Sequence, residues 1–120
     1  MSFEIIYSPA AVSDLDRVWD EVYEASQSFD IADRYITDLR VAISKKRKYP
    51  KTGTPLSFMG EFTGIYYVTF KEYIALYRIN ENRIEIGRIL FARSDYMKTL
   101  FGTSTGRVMD TIVDVGQYVK

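Results

Sequence analysis

Three runs rich in β-branched and aromatic residues, GIYYVTF (64–70), YIALYRI (73–79) and RIEIGRILFA (83–92), follow one another with only KE and NEN between them. Connections of two or three residues leave no room for a crossover, so the runs must turn back on one another as an antiparallel meander. A meander this small is not stable alone and needs an apolar layer on at least one face. The first half of the chain supplies that layer.

Residues 3–7 read as a short strand, and Ser8-Pro9 offers a helix N-cap with proline at the first helical position. Ala11, Leu15, Val18 and Val22 then repeat at four, three and four, and Val12, Trp19 and Tyr23 widen the stripe. The opposite face carries Asp14, Asp16, Arg17, Asp20, Glu21 and Glu24. After the polar break ASQSFD, either Ser28 or Asp30 can cap a second helix with Ala32, Ile36, Leu39 and Ile43 on one face. Lys45, Lys46, Arg47 and Lys48 crowd its end, and Pro50 is expected to stop it. Two prolines and three glycines in PKTGTPLSFMGEFTG predict a surface connection with at most a short extended piece at 56–59. The expected fold is α+β: an N-terminal strand and a two-helix hairpin packed on a small, mostly antiparallel sheet, in the order β-α-α-β-β-β.

Ser94 can cap a short helix over 95–101, and GTSTG (102–106) reads as a hinge. Beyond it Val108, Ile112, Val115 and Val119 form a stripe that predicts a final amphipathic helix weakened by Gly116. The chain therefore divides into a domain over 1–102 and an extension over 103–120. That extension is too short to be stable alone and is expected to pack on the body or on a second copy as a homodimer.

Composition limits the chemistry. The chain has neither cysteine nor histidine, which removes thiolates, disulfides, the commonest metal ligand and the commonest general base. No motif for a metal or cofactor is present, and none is expected. The opening MSFEIIYSPA lacks a basic stretch followed by an apolar run, and no stretch of about 18 apolar residues occurs, so a cytoplasmic protein without membrane contact is expected. Sixteen basic against sixteen acidic residues give zero net charge, which argues against general phosphate binding by the whole domain.

The candidate site lies toward the end of the last strand. Strict alternation puts Arg88 in a row with Ile84, Ile86 and Leu90, where it is either paired with a carboxylate or exposed as a contact residue; Gly87 offers a bulge that would change this phase. Arg93, Asp95 and Tyr96 mark a strand-to-helix junction, with Tyr77 and Arg78 expected close by across the meander. An arginine and tyrosine cluster can stabilise a phosphodiester transition state, but it lacks an evident base unless Tyr96 or Glu85 acts as one. KKRKYPK (45–51) is the most basic stretch, and its cations offset the helix dipole whether or not they also meet a nucleic acid.

Taken together, FEIIYSPAAVSDLDRVWDEV, the residues Ala32, Arg34, Tyr35, Ile36, Leu39, Ala42 and Ile43, and then YPKTGTPL, GIYYVTFKEYIALYRI and IEIGRILFARSDY resemble the RelE/ParE toxins of type II toxin–antitoxin systems over residues 3–101. The resemblance implies two helices on a small antiparallel sheet. In the RelE branch it implies cleavage of mRNA in the ribosome by basic strand residues and a C-terminal Tyr or His. Here Tyr67, Thr69 and Ile74 stand where that branch tends to place lysines and an arginine, leaving Arg78, Arg93 and Tyr96 as candidates for a nuclease. The ParE branch is closer, through Tyr77, Arg78, Ile84, Glu85, Ile86, Arg88, Ile89, Leu90, Arg93, Asp95 and Tyr96, although Phe91 stands where many relatives have histidine. It implies inhibition of DNA gyrase without hydrolysis, with Arg78, Arg88, Arg93, Asp95 and Tyr96 as target contacts. Either branch implies neutralisation by a cognate antitoxin, and a homologue that has lost activity is the third alternative.

Overall fold

A computed structural model describes residues 2–93. The expected short helix over 95–101, the 102/103 division and the tail helix all lie outside the described residues.

The elements are β1 (Glu4–Tyr7), α1 (Pro9–Ser26), α2 (Phe29–Ser44), β2 (Thr54–Phe58), β3 (Glu61–Phe70), β4 (Tyr73–Asn80) and β5 (Arg83–Phe91). Both helices begin where capping chemistry allows. The Ser8 hydroxyl accepts from the Ala11 amide at 3.0 Å, and of the two candidate caps for α2 it is Ser28 that accepts, from the Ile31 amide at 3.2 Å. At its other end α2 stops earlier than Pro50. The chain tightens into one 3₁₀ turn at Lys45–Arg47 and another at Pro50–Thr52.

The sheet order is β1-β5-β4-β3-β2, antiparallel throughout except that β1 runs parallel to β5. β4 is the central strand and is buried along most of its length. The helices cover one face, where Val18, Leu39 and Ile43 meet Tyr73, Tyr77, Ile84, Ile86 and Ile89. Each such side chain contributes about 1.5–3 kcal/mol when fully buried. A second apolar cluster of Leu56, Ile65, Ile74, Leu76 and Leu90 occupies the other face.

Three points go beyond the sequence reading, the second by settling the bulge at Gly87 that it left open. First, the proline- and glycine-rich connection contains a full edge strand, β2, joined to β3 by a two-residue turn in which Met59 and Gly60 both have positive φ, the backbone that suits the twist of a hairpin. Second, the β4–β5 register steps from Leu76↔Arg88 to Tyr77↔Ile86, so Gly87 is an extra residue in β5. This bulge reverses the phase: Ile84 and Ile86 face the helices before it, and Ile89 faces them after it. Third, Asp14 is buried, although the polar face of α1 seemed its place.

Candidate functional site

The bulge leaves β5 with a problem along its edge. β1 pairs with β5 only from Arg83 to Ile86, and beyond that the edge of β5 away from β4 has no strand beside it. The start of α1 takes over. Ser8 donates its amide to the Ile86 carbonyl at 2.9 Å and its hydroxyl to the Gly87 carbonyl at 2.8 Å. The Asp14 carboxylate accepts the Ile89 amide at 2.8 Å, and an Arg17 guanidinium nitrogen donates to the Ile89 carbonyl at 2.7 Å. Side chains of a helix thus satisfy the edge that β1 does not reach.

Asp14, only 4% exposed, also binds Arg88 with both oxygens, at 2.8 Å to Nε and 3.2 Å to Nη2, and Arg17 at 3.3 Å. The paired alternative for Arg88 is therefore the one found. Asp14 occupies a position three after Ala11 and four before Val18, so it lies inside the buried stripe of α1. That spacing was the available signal, and the polarity of the residue masked it.

Arg78 is engaged in the same way. It lies opposite Glu85 in the β4–β5 register and donates from Nε to Glu85 at 2.7 Å. Glu85, 2% exposed, also accepts from the Asn80 side-chain amide and forms an ion pair with Arg83, each at 3.2 Å. This cluster sits at the opposite end of β5 from Arg93. The register places Tyr73, not Tyr77 or Arg78, beside that end; Arg78 is paired with Glu85, about 25 Å back along the strand at about 3.3 Å per residue. The expected convergence of Tyr77 and Arg78 on Arg93 does not occur. Arg93 itself is exposed just past the strand, and Asp95 and Tyr96 lie outside the described residues.

Tyr77 points toward the helices, fully buried, and donates its hydroxyl to the Pro50 carbonyl. Burial raises its pKa to about 12. Tyr73 is also raised, first by burial and then by its 2.6 Å hydrogen bond to Glu21. Neither tyrosine is poised as a base. No trio of acidic side chains that could hold a metal occurs among the described residues, and no helix among them is long and apolar enough to cross a membrane.

Two helices laid on one face of a five-stranded sheet, with the sheet's arginines tied to buried carboxylates, make an α+β protein of the kind found in toxin–antitoxin pairs. The fold is similar to that in the chromosomal ParDE toxin–antitoxin system of P. aeruginosa, with a TM-score of 0.64 and 18% identity over 77% of this chain and 98% of that one. It is also similar to a chain of the RelBE2 toxin–antitoxin complex of Mycobacterium tuberculosis, with a TM-score of 0.52 and 18% identity over 76% and 99%. No curated protein sequence matches the chain. The family model for the ParE toxin of the type II toxin–antitoxin system parDE matches residues 5–96. The chain belongs to that family.

Proposed function

We propose that this toxin arrests growth by binding DNA gyrase, without hydrolytic chemistry of its own, and that a cognate antitoxin neutralises it. The observation that carries this reading is the state of the sheet arginines. Arg78 and Arg88 are each held against a buried carboxylate, so neither is free to clamp a scissile phosphate, and no strand lysine replaces them. A ribonuclease centre needs preorganised charge and a proton acceptor near one another. Arg93, exposed at the strand end, serves in this reading as a contact to the target, together with Asp95 and Tyr96.

For the antitoxin, we place an amphipathic segment along the helical hairpin, where Val12, Phe29, Ile31 and Val41 leave apolar surface in water. Expression of the chain alone should arrest growth and induce a DNA-damage response, and co-expression of the antitoxin should relieve both. Ribosome-bound mRNA cut at codon positions, with no DNA-damage response, would instead establish the ribonuclease alternative. The absence of any growth defect would point to a toxin homologue without activity.

A further inference from the structure

Zero net charge conceals a marked separation of charge along the fold. Residues 39–60 hold six cations and no acidic residue, while the other 98 residues hold ten cations and all sixteen acids. The helical hairpin between residues 14 and 38 is the acidic side, with eight carboxylates against Arg17 and Arg34. The cations gather where α2 ends and the two 3₁₀ turns follow. A helix C-terminus carries only about half a negative charge, and its influence fades within one turn, so six cations exceed what it calls for. Among the described residues, none of the six is within ion-pair distance of a carboxylate.

A second observation separates this pole from an ordinary solvated charge run. Tyr49 stands 64% exposed between Lys48 and Lys51, with the Lys48 ammonium 5.9 Å from its ring centroid. Beside it, Phe3, Pro50 and Ile79 line a hollow of about 360 Å³ whose rim carries the same two lysines. Clustered cations, an aromatic ring left in water and an apolar hollow next to it match what a flexible phosphate backbone with unstacked bases requires: charge for the phosphates and a flat face for a base.

We propose that this pole, built around Lys48, Tyr49 and Lys51, is a binding site for single-stranded nucleic acid. Phosphates lie across Lys45, Lys48 and Lys51, and one base stacks on Tyr49 at the mouth of the hollow. An acidic peptide could satisfy the lysines but would leave the ring and the hollow without a purpose. The site is remote in sequence from the Arg93 contact region and does not depend on which target the toxin attacks.

The test is fluorescence anisotropy of the full chain with labelled single-stranded DNA, single-stranded RNA and duplex DNA of equal length, titrated from 50 to 200 mM salt at roughly physiological pH. The single strands should bind more tightly than the duplex, and log affinity should fall with log salt at a slope of about −2 for three phosphate contacts. Comparison of the DNA and RNA arms shows which strand is preferred. Lys48→Glu with Lys51→Glu should weaken binding more than tenfold. Tyr49→Ala should weaken single-strand binding about tenfold and leave duplex binding unchanged, while Tyr49→Phe should retain it. All three side chains are exposed, so thermal midpoints should not move. Absent binding at 50 mM salt, equal affinity for duplex, or insensitivity to Tyr49→Ala would each overturn the proposal. Polyglutamate bound more tightly than the single strand at equal charge and salt, and weakened by Tyr49→Ala to the same extent, would show a peptide surface instead and would also overturn it.

Discussion

Asp14 and Arg88 show how a residue that resembles a functional candidate becomes structural. Removing one partner of a buried pair typically costs about 3–5 kcal/mol because a charge is left uncompensated. The Arg88 side chain retains 21% exposure, which discounts that figure, and about 2–3 kcal/mol is expected for Arg88→Ala. Asp14→Ala should cost more, since it strands the Ile89 amide as well. Arg93→Ala, at an exposed position, should cost under about 1 kcal/mol while reducing toxicity. Urea unfolding of the three variants checks this ordering, and a stable Arg88→Ala protein would return Arg88 to the list of contact residues. The pairing could be anticipated only as one alternative, because sequence shows a lone arginine in a strand but not the carboxylate that a distant helix brings to it.

Gly53 is a second residue-scale constraint that sequence did not reveal. Its φ is −66°, so conformation does not demand glycine; space does. A Cβ there would come 2.0 Å from the Tyr77 hydroxyl oxygen and 3.1 Å from the Tyr67 carbonyl. Gly53→Ala must push the ring of Tyr77 out of the core and break its bond to Pro50, at a cost of about 1–3 kcal/mol in a thermal melt. Tyr77 also predicts alkaline sensitivity. Its folded pKa of about 12 exceeds the ordinary 10.0, so its contribution to stability is complete below pH 10 and is lost between about pH 10 and 12. Denaturation curves at pH 9 and 11 should differ by about 1.4 kcal/mol from this group alone, and Tyr77→Phe should remove that part of the difference.

At the scale of elements, both helices and the meander were legible because their apolar spacings have no competing interpretation. Ser8 marked the start of the first helix, and Ser28 or Asp30 that of the second, between which the structure chose Ser28. β2 was obscured by Pro55 and its flanking glycines, which sequence reading takes as loop residues. An edge strand tolerates proline because one side of it needs no ladder bonds. The phase of β5 was undecidable from alternation alone, since a bulge and a regular strand differ by which face the residues after Gly87 adopt. Deleting Gly87 should leave a regular strand in which Ile86 and Ile89 still face the helices, so a near-UV spectrum and a sharp melt like those of the parent are expected; loss of cooperative unfolding would show that the bulge itself is needed for the packing. The spatial distribution of the candidate residues was not legible, because antiparallel register puts Arg78 and Arg93 at opposite ends of the sheet.

For the whole molecule, zero net charge is the sum of an acidic hairpin and a basic pole, and the fold gathers the cations where α2 ends and the two 3₁₀ turns follow. The gyrase reading rests on the arginines of the sheet, Arg78 and Arg88, each committed to a buried carboxylate. The most direct test is a supercoiling assay with purified gyrase and relaxed plasmid, titrated with the folded chain. Supercoiling should be inhibited in proportion to added protein, restored by the antitoxin, and inhibited less by Arg93→Ala at equal stability. Undiminished supercoiling at saturating protein, alongside mRNA cleavage by the same preparation on programmed ribosomes, would contradict the account.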